Sequence, residues 1–267
     1  MLHLEWIVLY VTLGSLVGFL AGLLGAGGGG ILVPVLAPIY VYQGITNDMS
    51  VHLAVGTALA CMIISSSSSV RAHTSRGNVD WKIVRSMAPG IIVGAFIVTR
   101  LAAHVHSAVI SLCFALMMGF IAWQYFFDWQ PRTIGKPASR GEMLGVGTGI
   151  GMISALVAAG SGFLTVIYLG FKKVDIKRAI GTSAAIGLPI AVAGTIGYLL
   201  GGWSATADTP YTLGYIYVPA FLSISITSSI AAPIGARFAH RLPGLYLKRV
   251  FAVIALAMAI KMLISSV

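Results

Sequence analysis

Ten apolar stretches, separated by short polar interruptions, run along the chain. They are approximately Trp6 to Leu24, Ile31 to Tyr42, Val51 to Val70, Ile83 to Ala103, Ser107 to Phe127, Met143 to Ala159, Phe163 to Phe171, Ala179 to Leu200, Leu213 to Ile234 and Leu245 to Ile264. A membrane helix takes about 20 residues. Ile31 to Tyr42 and Phe163 to Phe171 are too short to cross alone, and each directly follows a glycine cluster. Each half of the chain therefore reads as a helix, a break, a half-length helix and three full spans.

The first cluster, within Gly22 to Pro34, puts six glycines and a proline inside otherwise membrane-spanning sequence. Glycine costs about 1 kcal/mol and proline about 3 kcal/mol relative to alanine in a helix interior, so the helix breaks there. Broken backbone cannot face lipid, where each bare N–H or C=O costs several kcal/mol. It has to be packed in protein or line a polar cavity.

The pattern also repeats. Gly18 to Gly29 aligns with Gly151 to Gly162 at an offset of 133. Val55-Gly-Thr-Ala58 answers Ile180-Gly-Thr-Ser183 at 125, and Gly94 to Leu101 answers Gly235 to Leu242 at 141. Matches in chain order with little drift indicate a duplicated unit. The expected organisation is a first transmembrane repeat over 1–130, a basic inter-repeat loop over 131–141 and a second repeat over 142–267.

Charge adds the topology. Lys and Arg concentrate at Arg71 to Arg85, Arg132 to Arg140, Lys172 to Arg178 and Arg237 to Arg249, whereas Gly201 to Thr212 has none. If each broken segment folds back as a hairpin, all four rich loops share one face, as the positive-inside tendency requires. Each half then makes three net crossings and the halves are inverted. The expected fold is an all-α polytopic membrane protein of two inverted repeats, an architecture of many secondary transporters. Both termini are expected on the extracytoplasmic side of the cell membrane.

Composition agrees: of 267 residues, 58% are hydrophobic and 9% charged, against about 25% charged in soluble domains. Mean hydropathy is +0.94. The net charge of +10 comes from basic clusters at span ends, so membrane surface explains it better than nucleic acid, which is not an expected partner. The N-terminal apolar run has no preceding Lys or Arg and no small-residue cleavage site, so a retained helix is expected rather than a signal peptide. Cys61 and Cys113 are isolated and read as core residues. No metal-ligand set and no cofactor are expected.

A broken helix exposes free N–H groups and a positive half-dipole where it resumes. Substrate-binding candidates are therefore Gly25, Gly27, Gly28, Gly29 and Gly30 at the first break, and Gly160, Ser161 and Gly162 at the second. Glycine also serves close helix packing. Thr57, Thr182 and Ser183 occupy equivalent repeat positions as further donors, although such hydroxyls often bond their own helix. His52 begins the same span as Thr57 and can donate or titrate, or be a satisfied interface residue. Arg100 and Arg241, repeat mates at span ends, are candidate funnel or gating groups, with snorkelling to the interface as the plain alternative. The seven acidic residues all lie at segment ends or in loops. Central carboxylates mark cation pathways, so this interior suits an anion.

An intramembrane hydrolase is the competing class, prompted by Ser161. The residue two before it is Ala159, so the Gly-x-Ser-x-Gly elbow is absent, and His104, His106 and His240 sit near span ends. No catalytic residue is assigned and the chain is not read as an enzyme. A passive anion channel or uniporter stays open beside a carrier.

Taken together, Gly-Leu-Leu-Gly-Ala-Gly-Gly-Gly from Gly22, Val33-Pro34, Ala54-Val-Gly-Thr57, Arg76-Gly-Asn-Val-Asp-Trp81, Pro89 with Gly94, and Ile180-Gly-Thr-Ser183 resemble the TauE/SafE (sulfite exporter) membrane permeases over essentially the whole chain. The resemblance implies transport of sulfite, sulfoacetate or a related sulfur-containing anion across the cytoplasmic membrane, and it carries no agreed catalytic residues. The second glycine motif, Ala159-Gly-Ser-Gly162, is shorter than the first. Expected partners are a small anion and the lipid bilayer, with a homodimer left open.

Overall fold

Helices end where the glycine clusters lie. The computed structural model describes residues 4–24, 28–127, 139–158, 160, 162–239 and 244–265. Among them the helices are α1 (Leu4–Leu24), α2 (Gly29–Tyr42), α3 (Asn47–Thr74), α4 (Trp81–Ala102), α5 (Ser107–Phe126), α6 (Arg140–Leu156), α7 (Gly162–Phe171), α8 (Ile176–Gly202), α9 (Val218–Ala239) and α10 (Gly244–Ser265). Six of them, α1, α3, α4, α5, α8 and α9, carry an apolar window long enough to cross a bilayer. By contrast α2 and α7 have 14 and 10 residues, or about 21 Å and about 15 Å of helix. Gly28 before α2 has φ 72° and Gly160 before α7 has φ 80°, left-handed values that a Cβ would penalise.

Both broken segments fold back on themselves. Gln43, at the C-cap of α2, donates to the hydroxyl of Tyr10 near the start of α1 at 2.8 Å. Lys172, just past α7, lies 2.6 Å from Glu142 in the first turn of α6. Each half-helix thus returns to the end at which its partner began.

The two hairpins open at opposite ends of the bundle. α3 starts beside the first hairpin, where Asp48 accepts the N–H of Ser107 at 2.9 Å, and runs to the other end. There the α3–α4 connection meets the start of α8, with the Asp80 N–H donating to Thr182 at 3.0 Å. α8 follows directly from the second hairpin and runs back until its last turn meets Ala103. One end of the bundle therefore collects Arg71, Arg76, Lys82 and Arg85 with Lys172, Lys173, Lys177 and Arg178. This is the basic end.

The most extensive helix partnerships come in matched pairs. α1 packs on α9 and α6 on α4; α4 packs on α8 and α9 on α3; α3 pairs with α8, and α5 with α10. Exchanging α1–α5 with α6–α10 maps this set onto itself. Glycine makes the close crossings: a Cβ on Gly18 would collide with Ser228 of α9, and one on Gly151 with Ile91 of α4. The packing role weighed for the glycines is thus the one Gly18 and Gly151 serve. Buried Leu36, Leu53, Leu59 and Met62 belong to one core and Met87, Ile91 and Ile186 to a second. Leu116, Phe126, Ile226, Ile230 and Val253 are each more than 60% exposed, the apolar exterior of a multi-pass membrane protein.

The stretch from Leu213 departs from a continuous helix. It forms a small antiparallel hairpin of β1 (Thr212–Leu213) and β2 (Ile216–Tyr217), with Gly214 at φ 53° in its turn. α9 then starts at Val218 with Pro219 in its first turn, a position where the missing N–H costs nothing.

Candidate functional site

The two breaks meet. A Cβ on Gly29 would overlap the carbonyl oxygen of Ala158, the last described residue before Gly160, and would lie 2.5 Å from Sδ of Met62. Met62 is near the middle of the 28-residue α3. On the other side, Ala155 of α6 and Leu59 of α3 both flank Gly194 of α8. The midpoint of α3 therefore anchors both breaks at the same depth, and the two chain reversals touch through backbone.

At the first break, Gly28 caps α2 with its carbonyl, which accepts from the N–H groups of Ile31 and Leu32 at 3.2 and 3.3 Å. No side chain caps α2, and the first-turn N–H groups of a helix have no partner within it. Gly28 and Gly29 are buried and Gly30 partly so. Ala158 has φ 48°, a left-handed value that a residue with a Cβ seldom adopts. Gly160 is buried, and Gly162 opens α7. Gly25, Gly27, Ser161 and Arg241 lie outside the described residues.

Two side chains that the sequence did not single out flank the second break. Ser154 lies in the last turn of α6 and Thr165 in the first turn of α7; both are fully buried, and neither hydroxyl has a hydrogen-bond partner. A buried hydroxyl left unpaired costs about 1–3 kcal/mol, which sets these two apart from backbone-bonded hydroxyls such as Thr99 and Thr195. Serine and threonine are common in this chain, so nothing in the sequence marks these two; burial without a partner, which Tyr198 and Ser225 share, marks them only together with their place at the second break.

The remaining candidates are elsewhere. Thr57 is fully buried, but its Oγ1 accepts from the N–H of Tyr217 at 3.0 Å and from the Tyr40 hydroxyl at 3.3 Å. Thr182 accepts from the N–H of Asp80 at the basic end. Tyr217 immediately precedes α9 and Asp80 immediately precedes α4, so these bonds are equivalents. In each case the preceding glycine allows the approach: a Cβ on Gly56 would strike the carbonyl oxygen of Tyr215, and one on Gly181 that of Asn78. The Gly-Thr dipeptides clamp a loop of one half onto a helix of the other. In these contacts the threonine oxygens act as acceptors.

Ser183 donates to the Ile180 carbonyl at 2.8 Å, within its own helix. His52, 3% exposed, has Nδ1 2.7 Å from the Asp48 carbonyl and Nε2 3.0 Å from those of Ala102 and Val105, with its ring stacked on Tyr215 at 5.0 Å. Carbonyls on both sides leave it no free edge for a ligand, so it ties α3 to the α4–α5 turn. Arg100, in the last turn of α4, lies beside Gly201 of α8 at the end opposite the basic one. It stands at a mouth of the bundle, away from the breaks.

Comparison with known proteins agrees with this architecture. The family model described as Sulfite exporter TauE/SafE matches residues 10–262. A probable membrane transporter protein of Haemophilus influenzae is 31% identical over 96% of this chain and 98% of its own length. One of Methanocaldococcus jannaschii is 28% identical over 96% and 95%, and one of Bacillus subtilis 24% over 90% and 94%. No solved structure matches the chain.

Proposed function

The chain belongs to the sulfite exporter TauE/SafE family, and from that premise we propose that it carries a small sulfur-containing anion, such as sulfite, sulfoacetate or another organosulfonate, across the cell membrane. The observation that carries this reading is the contact of the two breaks at Gly29 and Ala158, level with the middle of α3. The same two segments carry the start of α2, which no side chain caps, and the unpaired hydroxyls of Ser154 and Thr165. These are hydrogen-bond donors without a carboxylate, a donor set that suits an oxyanion. Gly25, Gly27 and Ser161 complete the same two segments in sequence.

The basic end is read as cytoplasmic, with both termini outside. The two sets of five helices are read as inverted copies, supported by the opposite openings of the hairpins and the matched clamps of Thr57 and Thr182. Rocking of one set on the other would expose the breaks to each side in turn. Export needs no coupling ion, because each negative charge leaving an inside-negative cell gains about 2.3 kcal/mol per 100 mV.

Proteoliposomes with an imposed potential test this. The expected result is saturable sulfite flux that follows the potential and falls in the Ser154→Ala/Thr165→Val double variant. Flux indifferent to both would overturn the proposal.

A further inference from the structure

At the end opposite the basic one, a cavity of about 630 Å³ opens between the start of α1, the α2–α3 turn and the loop that follows α8. Its walls include Trp6, Tyr42, Tyr211 and Tyr217, with Asp208 and Gln43 between them. None of the break residues lines it. Tyr217 is held in place because its ring meets those of Tyr10 and Tyr40 edge-on, with centroids 6.2 and 5.4 Å away. The loop is tied as well: Thr212 donates to the carbonyls of Thr206 and Thr209, and the Val218 N–H to that of Tyr211. Tyr211 stands at φ 63° and is 54% exposed; Tyr42 is 83% exposed.

The charge of this cavity runs against that of the chain. Among the described residues that line it there is no Lys, Arg or His, and Asp208 is the one carboxylate, in a protein of net charge +10. Tyrosine and tryptophan are enriched at membrane interfaces; here four such residues line one concavity together with a carboxylate. Ring faces and a carboxylate attract a soft cation and repel an anion.

We propose that this cavity is a binding site for an organic ammonium ion, separate from the anion site at the breaks. Two sources present that chemistry: a soluble alkylammonium compound, and the ammonium headgroup of a lipid in the adjoining leaflet.

The test uses the full chain in nanodiscs of phosphatidylglycerol, with tetramethylammonium chloride as probe and saturation-transfer NMR of its methyl protons as readout, empty discs being subtracted. Saturable binding is expected, weakened about tenfold by Asp208→Asn and again by Tyr211→Leu, with thermal midpoints unchanged because both side chains are exposed. Repeating the titration in discs containing phosphatidylethanolamine separates the sources. A loss of probe affinity there identifies the lipid headgroup as occupant; an unchanged affinity identifies a soluble cation. Absence of saturable binding, or binding equal in the native chain and both variants, overturns the proposal.

Discussion

Gly29 sits so close to Ala158 that the hydrogen on its Cα is all that separates the two helix breaks; a methyl group there would overlap the Ala158 carbonyl oxygen. These residues come from different halves of the chain and meet at the depth of Met62. Gly29→Ala has to move backbone, and overpacking of this kind costs about 1–3 kcal/mol. Gly149 of α6 has open space where its Cβ would be, so Gly149→Ala is expected to be neutral or slightly stabilising. Thermal midpoints of the two purified variants check the contrast.

Ser154 and Thr165 separate binding from stability. Removing a buried hydroxyl that has no partner relieves desolvation, so Ser154→Ala and Thr165→Val are expected to leave stability unchanged or raise it by about 1 kcal/mol. If the hydroxyls serve the anion, the same variants lose affinity. Anion-induced thermal shifts read both effects, since a ligand stabilises the folded state by RT ln(1 + [L]/Kd). Variants that lose stability and keep affinity would mean that the hydroxyls have a structural role.

The clamps predict the reverse signature. Thr57→Val strands the N–H of Tyr217 and Thr182→Val that of Asp80, each at a cost of about 1–3 kcal/mol, while Thr→Ser at either position keeps the acceptor. Anion affinity should be unchanged in variants that still fold. A fall in affinity without a fall in midpoint would return these threonines to the binding site.

His52 follows the same logic with larger stakes. Its ring lies within hydrogen-bond reach of carbonyls of α3 and of the α4–α5 turn, so His52→Leu removes the ring donor that ties the two elements together. A loss of about 1–3 kcal/mol is expected, together with faster hydrogen exchange around residues 102–107. Exchange confined to the glycine breaks would contradict its placement.

The ion pair at the mouth of the second hairpin should matter little. Glu142 is 38% and Lys172 14% exposed at the side chain, and a pair reachable by water and salt contributes about 0.2–1 kcal/mol. A double-mutant cycle with Glu142→Gln and Lys172→Met is expected to return a coupling in that range that shrinks as salt is added. A coupling several times larger would make the pair a latch of the hairpin.

The sequence by itself determined the number and order of the helices, the two places where they break and the end at which the basic loops gather. Those features are written in local chemistry: apolar run length against bilayer thickness, glycine and proline against helix propensity, and lysine and arginine against the membrane surface. Even the Gly-Thr dipeptides were visible as a repeated signal, because a close approach and a hydroxyl acceptor demand the same two residues in each half. The tertiary structure decided what each signal is for. That Thr57 and Thr182 accept bonds from Tyr217 and Asp80, more than a hundred residues away, that Ser154 and Thr165 are left unpaired, and that Tyr217 closes a cavity with Trp6 are consequences of which helices pack together. Packing partners are chosen by the shape of whole faces, and a hydroxyl's neighbours by that choice, so neither can be read from the residue and its immediate sequence.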